Sequence, residues 1–148
     1  MTGIALVSAK GAPGVTTSAV LLAAVWPTPA VLVEADPAGG DLRSWYTDPH
    51  GQPLRPDLGV VSLLAAYTPT GQTSDRTLTG HAQLLPGGLP VLVGPSSPGQ
   101  VEALRGPWPQ LAAAIAAHHG DVLVDLGRLT GAGAHDLAWP VLRAPGPK

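Results

Sequence analysis

The stretch GIALVSAKGAPGVTT, residues 3–17, gathers residue types that suit one task, the binding of an anion. Residues 4–8 read as a short buried strand, a helix opens at Thr16, and a loop punctuated by Gly11, Pro13 and Gly14 joins them. Glycines let backbone N–H groups approach a ligand closely. The first turn of a helix adds unpaired N–H groups and the positive end of its dipole. The loop carries Lys10, one of only two lysines in the chain, and two hydroxyls follow at Thr16 and Thr17. A phosphate is the anion that such a loop suits best. Two later apolar runs end in acid: VLVEAD at Asp36 and DVLVD at Asp125.

For these residues to meet, the elements between them must form a sheet with its strand ends on one edge. The first helix is expected over 16–25, stopped by Pro27, which lacks an N–H and clashes with the preceding turn. A second buried strand follows at 30–34 (AVLVE). Continuous apolar strands separated by a helix predict an α/β fold with a mostly parallel sheet covered on both faces. Such sheets place ligands at the carboxyl ends of their strands, where the loop EADPAGGDL lies. Residues 47–56 read as a loop, Asp57 as the cap of a helix over 58–67, and 68–80 as turn-like. Strands at 81–85 and 89–93 make a hairpin across Pro86-Gly87-Gly88. Ser97 and Pro98 start a helix that breaks at Gly106-Pro107, resumes to His119 and stops at Gly120. A strand over 121–126 and a helix over 131–144 complete a single domain, 1–144, with 145–148 as a disordered tail.

Composition narrows the class. A chain of 148 residues can bury a real core as one domain. The formal charge of −2 and the absence of any Lys/Arg cluster give no nucleic-acid signal. Without cysteine there is neither disulfide nor zinc-thiolate site. The start lacks the charged and apolar regions of a signal peptide, and the longest apolar run, 19–26, is too short to span a bilayer. The expected setting is cytoplasmic, with no transmembrane segment.

Set against the standard phosphate loop, G-x-x-x-x-G-K-[ST], the chain has alanine for the first glycine and Val15 for the lysine. A variant loop, K-G-G-x-G-K-[ST]-[ST], carries an extra lysine near its start. KGAPGVTT keeps that lysine, two of the three glycines and both threonines. VLVEADPAGGDL matches the acidic switch I segment that accompanies the variant, and DVLVDLGR matches its Walker B strand with a following glycine. On these motifs the chain resembles the ParA/MinD-like family of deviant Walker-A P-loop ATPases, nearest to actinobacterial MinD-like proteins.

The resemblance implies a three-layer P-loop NTPase-type fold and binding of ATP with Mg²⁺. Lys10, Gly11, Ala12, Pro13, Gly14, Val15, Thr16 and Thr17 would form the nucleotide loop, with Gly11, Gly14 and adjacent amides around the β-phosphate. Thr16, Asp36 and Asp125 would serve Mg²⁺, and Asp36 would orient the attacking water. Lys10 would reach the partner's phosphates across a nucleotide-sandwich homodimer. The motifs span almost all of this chain but little more than half of a complete family domain, so C-terminal strands are expected to be missing. Val15 replaces the lysine that pairs with the β- and γ-phosphates. Losing a charge-assisted hydrogen bond of about 1.5–3 kcal/mol weakens binding by roughly one to two orders of magnitude. Hydrolysis suffers more, because charge builds up in the transition state. The expected protein is therefore a weak or non-hydrolysing nucleotide binder acting as a switch or scaffold in partitioning or positioning, with an unidentified protein partner. The alternatives are a protein-interaction module without nucleotide, or a truncated remnant of such an ATPase.

Other residues carry plainer readings. Glu34 reads as a solvated or structural strand-end carboxylate, and Asp41 with Arg43 as the start of a short helix. The pair His118-His119 reads as a solvated helix end, since adjacent helical residues point about 100° apart. Trp26, Trp45, Trp108 and Trp139 read as core or interface packing.

Overall fold

The computed structural model describes residues 3–9, 13–67 and 77–128. Within them the order is β1 (Gly3–Ser8), α1 (Val15–Ala24), β2 (Ala30–Glu34), α2 (Leu42–Trp45) and α3 (Val60–Ala65). Then come a 3₁₀ turn (Thr79–His81), β3 (Gln83–Leu84), β4 (Pro90–Leu92), α4 (Pro98–Ala103), α5 (Trp108–Ala117) and β5 (Asp121–Arg128). The five strands make one sheet in the order β1-β5-β2-β4-β3. All neighbours run parallel except β3, which pairs antiparallel with β4.

The apolar runs follow from burial on both faces. Side chains alternate across a strand. Leu32 and Leu123 pack with Ala19, Val20 and Ala23 of α1 on one face, together with Leu42 and Leu54. Val31, Val33, Val122, Val124 and Leu126 pack on the other with Leu63, Leu64, Trp108 and Leu111 of α3 and α5. Every residue of β2 is buried, so no polar alternation survives there. The helix-sheet-helix arrangement is thus the α/β architecture with a mostly parallel sheet that the sequence predicts.

The elements agree with expectation where local chemistry decides. Gly87 and Gly88 adopt φ of 88° and 87° in the hairpin between β3 and β4. Ser97 accepts a 3.3 Å hydrogen bond from the Gln100 amide with Pro98 at the first helical position. A turn at 104–107 separates α4 from α5.

They differ where packing decides. Asp57 caps nothing; its carboxylate binds the Arg55 guanidinium at 2.7 Å. The helix begins later, because Gly59 takes φ 149° and lets the Val60 amide donate to the Val93 carbonyl at 2.9 Å. The strand expected over 81–85 shrinks to Gln83–Leu84, since Thr79–His81 turns as 3₁₀ and buries His81 with Nδ1 2.8 Å from Ser62 Oγ. β5 runs two residues past 126. The pair His118-His119 follows the end of α5 as expected, with His119 exposed and His118 half-buried, its imidazole pKa lowered by burial and by His119. The expected helix over 131–144 and the tail over 145–148 lie outside the described residues.

The start of α3 rests on close backbone contact, which gives a stability prediction. A Cβ at Gly59 would sit 2.2 Å from the Val93 carbonyl oxygen, at a φ that L side chains rarely adopt. Gly59→Ala is expected to lower stability by roughly 3 kcal/mol. Urea unfolding should show a reduced midpoint with an unchanged slope.

Candidate functional site

Parallel strands bring their carboxyl ends to one edge, and β5 lies between β1 and β2. Register pairs Asp125 with Leu6 on one side and with Glu34 on the other. The carboxyl end of β5 therefore meets the start of α1 and the segment after β2. They enclose a cleft of about 290 Å³. Pro13, Gly14, Val15, Thr16 and Thr17 form one wall, Asp36, Asp41, Trp45 and Tyr46 another, and Gly127 with Arg128 a third.

The first wall is the start of α1. Gly14 is its N-cap in the left-handed region, φ 100°, and no side chain caps the helix. The first turn holds no acidic residue. Its leading amides therefore meet the cleft without a side-chain acceptor, a local positive contribution from the helix end.

Two buried carboxylates stand behind that wall, and each is 1 % exposed. Glu34 is enclosed by backbone. Its Oε1 accepts from the amides of Asp41 (2.7 Å) and Leu42 (2.9 Å), and its Oε2 from Gly94 (2.9 Å). A Cβ at Gly40 would lie 2.2 Å from Oε2, so a side chain there would push the carboxylate off its amide donors. Burial pushes the Glu34 carboxyl up to about 7, with the Asp125 charge adding to the rise and the three amides opposing it. Glu34 is a structural clasp between the segment after β2 and the end of β4. Of its two expected roles, solvated or structural, the structure selects the second.

Asp125 is satisfied on one side only. Oδ1 accepts from the Gly127 amide at 2.8 Å, whereas Oδ2 is buried without a hydrogen-bond partner of normal geometry. Burial raises its pKa; the nearby Thr16 hydroxyl and the Gly127 amide hold it down in part. Asp36 accepts from the Ala38 amide at 2.7 Å in a tight turn. Burial raises this carboxyl too, with Asp125 and Asp41 adding and Arg128 opposing. Gly127 separates the two aspartates: at φ 57°, a Cβ there would fall 1.9 Å from Asp36 Oδ2. Only glycine permits that approach.

Of the sequence-predicted site residues, Pro13, Gly14, Val15, Thr16, Thr17 and Asp36 share the cleft wall, and Asp125 lies against Thr16 and Gly127 beside it. Lys10, Gly11 and Ala12 lie outside the described residues. Asp41, Tyr46 and Arg128 join the cleft without having been assigned to it by sequence. Trp45 is not core: it is 77 % exposed at the cleft. Trp108 is buried, and Trp26 is half-buried with its Nε1 donating to Asp121 at 3.0 Å. Trp139 falls outside the described residues. No signal in the sequence separates Trp45 from the other tryptophans, because exposure depends on where α2 sits.

Among the described residues no group of three His, Asp or Glu side chains is placed to hold a metal by itself. What exists is the Thr16 hydroxyl, the Asp36 carboxylate and the orphan oxygen of Asp125. That donor set suits a hard cation that keeps waters and takes ligand oxygens. No family model and no curated protein sequence matches the chain.

The Glu34 clasp predicts a pH dependence. Its folded carboxyl titrates near 7, above the ordinary 4.5, so the folded chain holds the proton more tightly than the unfolded one. The associated stability is complete below about pH 4.5 and declines as pH rises through 7, by roughly 3 kcal/mol in all. Urea unfolding between pH 5 and 8 should show that decline in wild type. In Glu34→Gln the slope over this window should be much reduced.

Proposed function

We propose that this chain is a ParA/MinD-like P-loop nucleotide-binding protein that holds ATP weakly with Mg²⁺ and hydrolyses it poorly or not at all. The observation that carries the reading is the buried Oδ2 of Asp125, which has no hydrogen-bond partner of normal geometry and only the Thr16 hydroxyl close by. It lies beside Thr16 at the uncapped start of α1, with Asp36 across Gly127 on the same cleft. A buried acceptor without a partner is costly. A cation held there would relieve it.

Mg²⁺, when bound, would neutralise phosphate charge. Thr16 and Asp36 would offer it oxygen ligands, and Asp125 would hold it through water, while the α1 amides bind phosphate oxygens. Val15 would contribute no charge, which supports weak binding and poor stabilisation of a transition state. Any role as a switch or scaffold in partitioning, through a homodimer or another protein partner, rests on the resemblance of the loop and strand motifs.

Calorimetric titration with Mg·ATP tests the reading. Wild type should bind weakly, Val15→Lys should bind roughly ten- to a hundredfold more tightly, and Asp125→Asn should abolish the Mg²⁺ dependence. Tight wild-type binding with steady turnover would contradict the weak, non-hydrolysing reading. Absence of binding by wild type and Val15→Lys alike would favour an interaction module without nucleotide.

A further inference from the structure

The end of β5 contains an irregularity that regular pairing does not require. Leu6 pairs with Asp125, yet two residues later Ser8 pairs with Arg128, not with Gly127. β5 therefore holds one extra residue between these pairs, a bulge with Gly127 in the left-handed region at φ 57°.

One inserted residue reverses side-chain parity. Leu123 packs on the α1 face of the sheet, and Val122, Val124 and Leu126 on the α3/α5 face. Strict alternation would place Arg128 with the second group, on the α3/α5 face and away from α1. The bulge instead puts Arg128 in register with Ser8. That brings it to the cleft wall facing Thr16, Thr17 and Asp36. Bulges re-aim side chains in this way.

Charge makes the placement consequential. Among the described residues lining the cleft, Arg128 is the single basic side chain, against the carboxylates of Asp36 and Asp41. Arg128 is exposed, lines the same cleft as Asp36, and forms no ion pair among the described residues. A planar guanidinium can bind two phosphate oxygens at once, which an ammonium cannot.

We propose that Arg128 is an anion-binding residue of the cleft, presented by the Gly127 bulge, and that it contacts the polyphosphate in place of the lysine absent at position 15. This assignment rests on the nucleotide-binding reading of the cleft and adds a specific ligand-binding side chain to it. It also accounts for a bulge next to the very glycine that separates the two aspartates.

The test is calorimetry with Mg·ATP on wild type, Arg128→Gln, Arg128→Lys and Arg105→Gln, the last a charge-matched control in the turn between α4 and α5. Arg128→Gln should weaken binding roughly ten- to a hundredfold. Arg128→Lys should restore part of the loss, and Arg105→Gln should bind like wild type. Equal weakening by Arg128→Gln and Arg105→Gln, or unchanged binding by Arg128→Gln, would overturn the assignment while leaving the nucleotide reading intact. Absence of binding by wild type would overturn the nucleotide reading, and this assignment with it.

Discussion

Glu34 and Asp125 are register partners on adjacent central strands, and both carboxylates are buried at the carboxyl edge of the sheet. Burying a carboxylate is costly unless hydrogen bonds replace its water. The chain resolves the two differently. Glu34 receives three backbone amides and so ties the segment after β2 to the end of β4. Asp125 receives one, and its other oxygen, buried, has only the Thr16 hydroxyl at the start of α1 beside it. Spending the available amides on Glu34 fixes the scaffold. The electrostatic deficit is left at Asp125.

That arrangement depends on the order of strands. β1 and β2 are joined through α1 but do not touch; β5, far along the chain, fills the gap between them. The core faces and the cleft walls are both incomplete until residues 121–128 are in place. Pairing across such a sequence separation costs loop-closure entropy before it is rewarded, and long-range parallel pairing forms slowly for that reason. Glycine governs the final approach. Gly40 admits the Glu34 carboxylate, and Gly127 admits the Asp36 carboxylate, each within a distance that a Cβ would block.

The electrostatics of the cleft also bear on what it could hold. Asp36, Asp41 and the adjacent Asp125 outnumber the one described lining cation, Arg128. An anion arriving alone would meet net repulsion from these carboxylates, offset by the α1 amides and the guanidinium. An anion accompanied by a divalent cation would not. This balance favours a metal-complexed phosphate over a free one, in keeping with the donor set of Thr16, Asp36 and Asp125.

Much of the fold is legible without coordinates. Apolar runs at 30–34 and 121–126 specify buried parallel strands, Pro27 ends a helix, Pro86-Gly87-Gly88 turns a hairpin, and Ser97-Pro98 begins a helix, because each signal acts through neighbouring residues. The glycines and hydroxyls of residues 11–17 and the acids at 36 and 125 mark a candidate anion site by type and spacing. Other features are settled only by contacts far apart in sequence. Gly59 starts α3 in place of Asp57 because Val93 waits for the Val60 amide. Glu34 becomes structural because Asp41, Leu42 and Gly94 surround it, and Trp45 stands exposed because α2 sits at the cleft. Arg128 reaches the α1 face because one extra residue in β5 reverses its parity. Local propensity therefore determined which elements form and where anion-binding groups could lie. Tertiary pairing decided which side chains share the cleft, since strand order and register have no purely local cause.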